Sequence, residues 1–84
     1  MIFLALTPTG LQEALTWGRP DKMAIWCGSD TISGADYAEL EYVNVSRLDY
    51  PLAGDPDAVR DAMATIVEHH PGMRIWVEQM QYVD

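Results

Sequence analysis

The chain has 84 residues, 49% of them hydrophobic, with three Trp and a single Cys. Thirteen acidic side chains against five basic ones give a formal charge of −8, which argues against direct binding of nucleic acid or an anionic membrane, where phosphates demand Lys and Arg. One cysteine excludes an intrachain disulfide and a Cys-rich zinc site, and no apolar run approaches the ~20 residues a membrane span needs.

This length predicts one domain over residues 1–84. A domain of this size buries only about 60% of its unfolded surface and is marginal alone, so a homodimer that covers an edge or a patch is a reasonable expectation. The apolar opening lacks a basic leader and is too short for a secretory h-region. The expectation is a soluble cytoplasmic protein with no membrane contact and no cofactor.

Met1–Leu6 is an unbroken apolar run. A strand wet on one face alternates, whereas a strand covered on both faces does not, so this is expected to be the central strand of a parallel sheet. Thr7-Pro8-Thr9-Gly10 opens a helix, either with Thr7 as cap and Pro8 at the first helical position, or with Thr9 as cap and Gln12 answering it. Leu11, Ala14 and Leu15 share its apolar face, and Gly18 ends it. Lys22–Cys27 is a second apolar strand, and Gly28-Ser29-Asp30 turns the chain out of the sheet. Ser33 then caps a short helix from Gly34 to about Glu41, with Asp36 at the third position and Ile32 and Tyr37 as a hydrophobic staple.

Val43–Tyr50 is a strand interrupted by Asn44, Ser46, Arg47 and Asp49 and closed by Pro51, the pattern of an edge. Asp55-Pro56-Asp57 starts the longest helix, with a cap, a proline and an acid in the first turn. Val59, Ala62, Met63, Ile66, Val67 and His70 form its apolar stripe, and Pro71-Gly72 stops it. Met73–Gln79 is a half-polar strand, another edge, and Met80–Asp84 is a tail. The order βαβαβαβ implies a small three-layer α/β domain with a four-stranded, mainly parallel sheet. Two greasy strands belong inside and two polar ones outside, which favours the order 3-2-1-4 over the alternative 2-1-3-4. In that order the connection reverses beside the first strand, where a cleft is expected at the carboxyl ends of the first and fourth strands.

Five places could carry function. The turn Thr7, Thr9, Gly10 suits an anion, since it precedes free helix N–H groups, though it lacks the spacing of a dinucleotide fingerprint or a P-loop. Cys27 ends the second strand close to Ser29 and the second helix. His69-His70 sit at a helix end, where the dipole favours them; side chains adjacent on a helix diverge by about 100° and make poor co-ligands, so no metal is expected. The acids between Asp30 and Asp61, with Asp36 and Glu39 among them, could dock a basic protein if they shared a face. In the last strand Trp76, Glu78, Met80 and Tyr82 share one side at period two, a composition enriched at interfaces.

Trp26-Cys27-Gly28 resembles the local sequence at a thioredoxin active site, also a strand-to-helix junction. The resemblance covers three residues and departs at Asp30, where a second Cys would stand. The alternating element order, the turn after the second strand and His70-Pro71 are also similar to the small sulfur-relay α/β proteins, an analogy of fold. The alternative reading is a small thiol or sulfur-transfer protein using Cys27, with Ser29 and Thr9 as hydrogen-bond donors and an exposed thiol of lowered pKa. The leading expectation is different: a non-catalytic adaptor or regulatory module acting through protein contacts, with a basic partner or a second copy as candidates. A small-molecule binder at Thr7–Gly10 is the third reading.

Overall fold

The apolar opening becomes strand β1 (Ile2–Ala5), with every side chain buried. The structure, a computed structural model, describes residues 1–17, 23–40 and 44–78. Within them the chain continues through α1 (Pro8–Trp17), β2 (Ala24–Cys27), α2 (Gly34–Ala38), β3 (Val45–Arg47), α3 (Pro56–His69) and β4 (Ile75–Val77). The four strands form one sheet in the order β3-β2-β1-β4, and all three pairings are parallel. The two uninterrupted apolar runs are thus the two inner strands, as covering both faces requires.

Alternation along each strand divides the core in two. Phe3, Ala5, Ile25, Cys27 and Val45 face Leu11 and Ala14 of α1, with Leu15, Ile32, Tyr37 and Leu40 packed around them. Ile2, Leu4 and Trp26 face Ala62 and Ile66 of α3, with Leu6 and Leu52 completing that side. Helices α1 and α2 therefore cover one face and α3 the other. No helix among the described residues is long and apolar enough to cross a membrane.

Local chemistry sets the helix boundaries. Thr7 is the cap of α1: its Oγ1 accepts from Gly10 N at 3.0 Å, which leaves Pro8 at the first helical position, where its missing N–H costs nothing. Ser33 accepts from Asp36 N and Asp55 from Ala58 N, ahead of Pro56. After α3, Gly72 takes φ +78°, the left-handed conformation that glycine adopts without steric cost.

The outer elements are shorter than the sequence suggests. Helix α2 ends at Ala38, where Glu39 N and Leu40 N turn back to Asp36 O and Tyr37 O in the tighter geometry of a last turn. Strand β3 stops at Arg47, and Tyr50 O instead receives Ser29 N. Strand β4 spans Ile75–Val77, although Glu78 N still reaches Leu4 O at 3.0 Å. The expected ends at Gly18, Lys22, Glu41, Val43 and Gln79 lie outside the described residues. The stripe on α3 is also narrower than expected. Its line of contact runs Ala58, Val59, Ala62, Ile66, whereas Met63 and Val67 remain exposed.

Candidate functional site

The crevice beside the carboxyl end of a central strand is where open α/β sheets take their ligands. Here that crevice lies between β1 and β4. Register places Leu4 beside Val77, so the next pair is Ala5 beside Glu78, and alternation turns Glu78 toward the α1 face. Its Oε1 accepts from Leu6 N at 2.7 Å and from Thr7 N at 2.9 Å. Its Oε2 accepts from Thr7 Oγ1 at 2.6 Å. The Thr7 hydroxyl thus donates one hydrogen bond to Glu78 and accepts another from Gly10 N. The unsatisfied donors and positive dipole of a helix start attract an anion, and the chain supplies that anion itself from its last described residue. Gly10 makes room for it: a Cβ there would overlap the Glu78 carboxyl group.

Beside this clasp a partly open hollow of about 380 Å³ runs between α1 and β4, floored by Phe3 and bounded by Met1, Glu13 and Trp76. Trp76 keeps 51% of its surface exposed, with the Arg74 guanidinium 6.0 Å above its ring. Strand β4 is the edge here. Ile2 N donates to Arg74 O and Glu78 N donates to Leu4 O, so Arg74 and Glu78 turn their backbone groups toward β1. In a ladder the direction alternates, which points the N–H and C=O of Ile75 and Val77 outward.

A second hollow, about 570 Å³, separates the start of α1 from the β2–α2 loop, with Gln12, Ser29, Asp30 and Asp36 on its wall. Its polar groups are largely committed to holding loops. Asp30 accepts from Leu52 N and Ala53 N, both at 3.2 Å. Arg47 donates to Ile32 O at 2.7 Å and to Ser29 O at 3.1 Å. Gly28 leaves the space these contacts need, since a Cβ would lie 2.7 Å from Asp30 Oδ1 and 2.9 Å from Leu52 Cγ. Thr31 is buried with a hydroxyl that has no partner among the described residues.

Cys27 does not carry the exposed, activated thiol that the sulfur-transfer reading requires. It is fully buried under the α1–α2 side of the sheet, with Sγ 3.7 Å from Ser46 O. Burial pushes its pKa from 9.0 up to about 11, with Arg47 pulling it down and Asp30 adding to the rise. The cause is alternation: Cys27 falls on the same face as Phe3, Ala5 and Ile25. Thr9 is exposed on the first turn of α1 and borders neither hollow, and Ser29 engages through its backbone. The structure brings Thr7 and Gly10 together, but around Glu78, away from Cys27 and Thr9.

The aromatic stripe of the last strand divides. Trp76 faces solvent while Glu78 turns inward, and Met80 and Tyr82 lie outside the described residues. Asp36 and Glu39 are exposed on α2, on the face opposite the acids of α3, so they do not merge into one acidic surface. His69 and His70 pack their rings against Trp26, at 5.6 Å and 6.2 Å between centroids. Among the described residues no group of three or more His, Cys, Asp and Glu converges on a metal position.

Sequence reasoning missed Glu78 as the acceptor that holds the turn ahead of α1, Gly10 as its cradle, and Phe3 and Glu13 as part of the hollow. One signal was present: glycine inside a helix costs about 1 kcal/mol relative to alanine, so Gly10 already pointed to a close approach. Compared with protein-family models, with curated proteins and with solved structures, the chain finds no match in any of the three.

Proposed function

We propose that this chain is a non-catalytic protein-binding module, working in the cytoplasm, whose contact surface is the outer edge of β4 with the apolar hollow beside it. One observation carries the reading: the anion seat at the sheet's ligand crevice holds the chain's own Glu78, while Met73, Trp76 and Val77 stand exposed along the adjoining edge. An edge strand with outward N–H and C=O groups is a template for another strand, and side-chain pockets beside it select what binds, as in strand-addition domains. The buried thiol of Cys27 supports this reading over a sulfur-transfer enzyme.

Val77→Pro tests it. Proline removes an outward N–H that β1 does not use, and edge strands tolerate that loss. The wild-type chain, immobilised and exposed to a cell extract containing an untagged copy of itself, is expected to retain partners that Val77→Pro loses, with the far-ultraviolet circular dichroism unchanged. Equal retention by both chains would overturn the proposal.

A further inference from the structure

We infer that the strand added to β4 is β4 of a second copy, antiparallel, with Trp76 on the two-fold axis. This rests on the reading of β4 as the contact surface and names the partner.

Backbone polarity allows the arrangement. Ile75 and Val77 direct their N–H and C=O outward, because Arg74 and Glu78 spend theirs on β1. In an antiparallel pair, residues that face each other with these groups exchange two hydrogen bonds, and the residues between them form closer, non-bonded pairs. An axis through Trp76 sets Ile75 against the partner's Val77, and Val77 against the partner's Ile75. Both are hydrogen-bonded pairs. Trp76 then meets the partner's Trp76 as the close pair between them.

Side-chain chemistry selects this register. Residues 74–78 read Arg-Ile-Trp-Val-Glu, a sequence that matches its own reverse: β-branched meets β-branched, indole meets indole, and Arg74 comes to lie beside the end of the partner strand whose Glu78 carboxylate is already held by Leu6 and Thr7. Cross-strand opposite charges and aromatic pairs are favourable, and like charges are not. An axis through Ile75 would instead set Arg74 against Trp76 and leave Glu78 opposite Gly72. An axis through Val77 would set Trp76 against Glu78. Only the central axis sets apolar against apolar at all three middle positions and keeps like charges apart, and a self-complementary patch is what a two-fold interface requires. The pairing also covers surfaces that the single chain leaves open. Trp76 is 51% exposed and Val77 37%, on opposite faces of β4, and each apolar hollow would meet its twin across the axis.

Sedimentation equilibrium is expected to give twice the 9.4 kDa chain mass for the wild type and the single mass for Val77→Pro. Register is read by cross-linking. Trp76→Cys faces itself and is expected to form a disulfide-linked dimer under mild oxidation, while Ile75→Cys, which faces Val77, is not. The native thiol at Cys27 is fully buried and does not compete. A wild-type chain that sediments as a monomer at its highest soluble concentration, a dimer that survives Val77→Pro, or equal cross-linking at both positions would overturn self-pairing. If the chain is a monomer yet Val77→Pro still abolishes retention from extract, self-pairing is wrong and the contact surface stands. If Val77→Pro changes neither assay, both fall.

Discussion

Glu78 and Gly10 are meaningful only as a pair. Alanine normally stabilises a helix over glycine by about 1 kcal/mol, so Gly10→Ala would raise the melting temperature if the space were free. The Cβ overlaps the Glu78 carboxyl group, so the carboxylate must shift off the amides of Leu6 and Thr7, and the substitution is expected to destabilise instead, by about 1–3 kcal/mol, as stranding such donors does. Glu78→Ala strands the amides of Leu6 and Thr7 and should also cost about 1–3 kcal/mol. The double variant decides the matter. With the carboxylate gone, Gly10→Ala is expected to become neutral or stabilising, and a urea-melt double-mutant cycle measures the coupling. Additive penalties would show that the two residues act apart. Only the helical glycine was a local signal: the sequence offers Thr7–Gly10 as an anion seat, but the occupant sits 71 and 72 positions from the two amides it accepts from.

Elements were legible where their instructions are short-range. Ser33 with Asp36, and Asp55 with Pro56, each mark a helix start within four residues, and both caps form as read. Asp55→Ala is expected to cost about 1 kcal/mol, seen as a lower urea midpoint with an unchanged slope, because α3 holds one whole face of the core through Ala62 and Ile66. A change in slope would mean that the helix frays rather than merely weakens. Edge elements were overestimated because a strand ends where its neighbour stops pairing, which composition does not encode. Thus Asp49 and Tyr50 read as strand but belong to the loop whose Tyr50 O receives Ser29 N, while Leu48 N makes the last bond to Cys27 O. Cys27 is the opposite case. Three residues suggested a reactive junction, while the unbroken apolar run Met23–Cys27, visible in the same sequence, already assigned the thiol to a strand covered on both faces.

For the molecule as a whole, the strand order followed from one comparison: two runs without polar residues, two with them. Burial on both faces is available only to inner strands, and Met1–Leu6 and Met23–Cys27 were the two segments able to bear it. The same burial gives stability an alkaline limit. The folded thiol of Cys27 ionises near 11, the unfolded one near 9.0, so the unfolded state loses its proton first. Its contribution is complete below about pH 9 and is withdrawn as pH rises toward 11. Chemical denaturation is expected to show a falling midpoint over that interval, and Cys27→Ala, though less stable at neutral pH from the cavity it leaves, should show a shallower fall. Parallel slopes would place the alkaline sensitivity elsewhere.

The carboxylate clasp also bears on how the chain comes to be folded. Synthesis delivers the amino-terminal end first, yet β1 has no neighbour on one side, and the first turn of α1 lacks its counter-charge, until the residues around Glu78 have left the ribosome. While the residues between β1 and Glu78 are being made, the centre of the future sheet is an apolar ribbon with an open flank, the kind of surface that makes incomplete chains prone to aggregate.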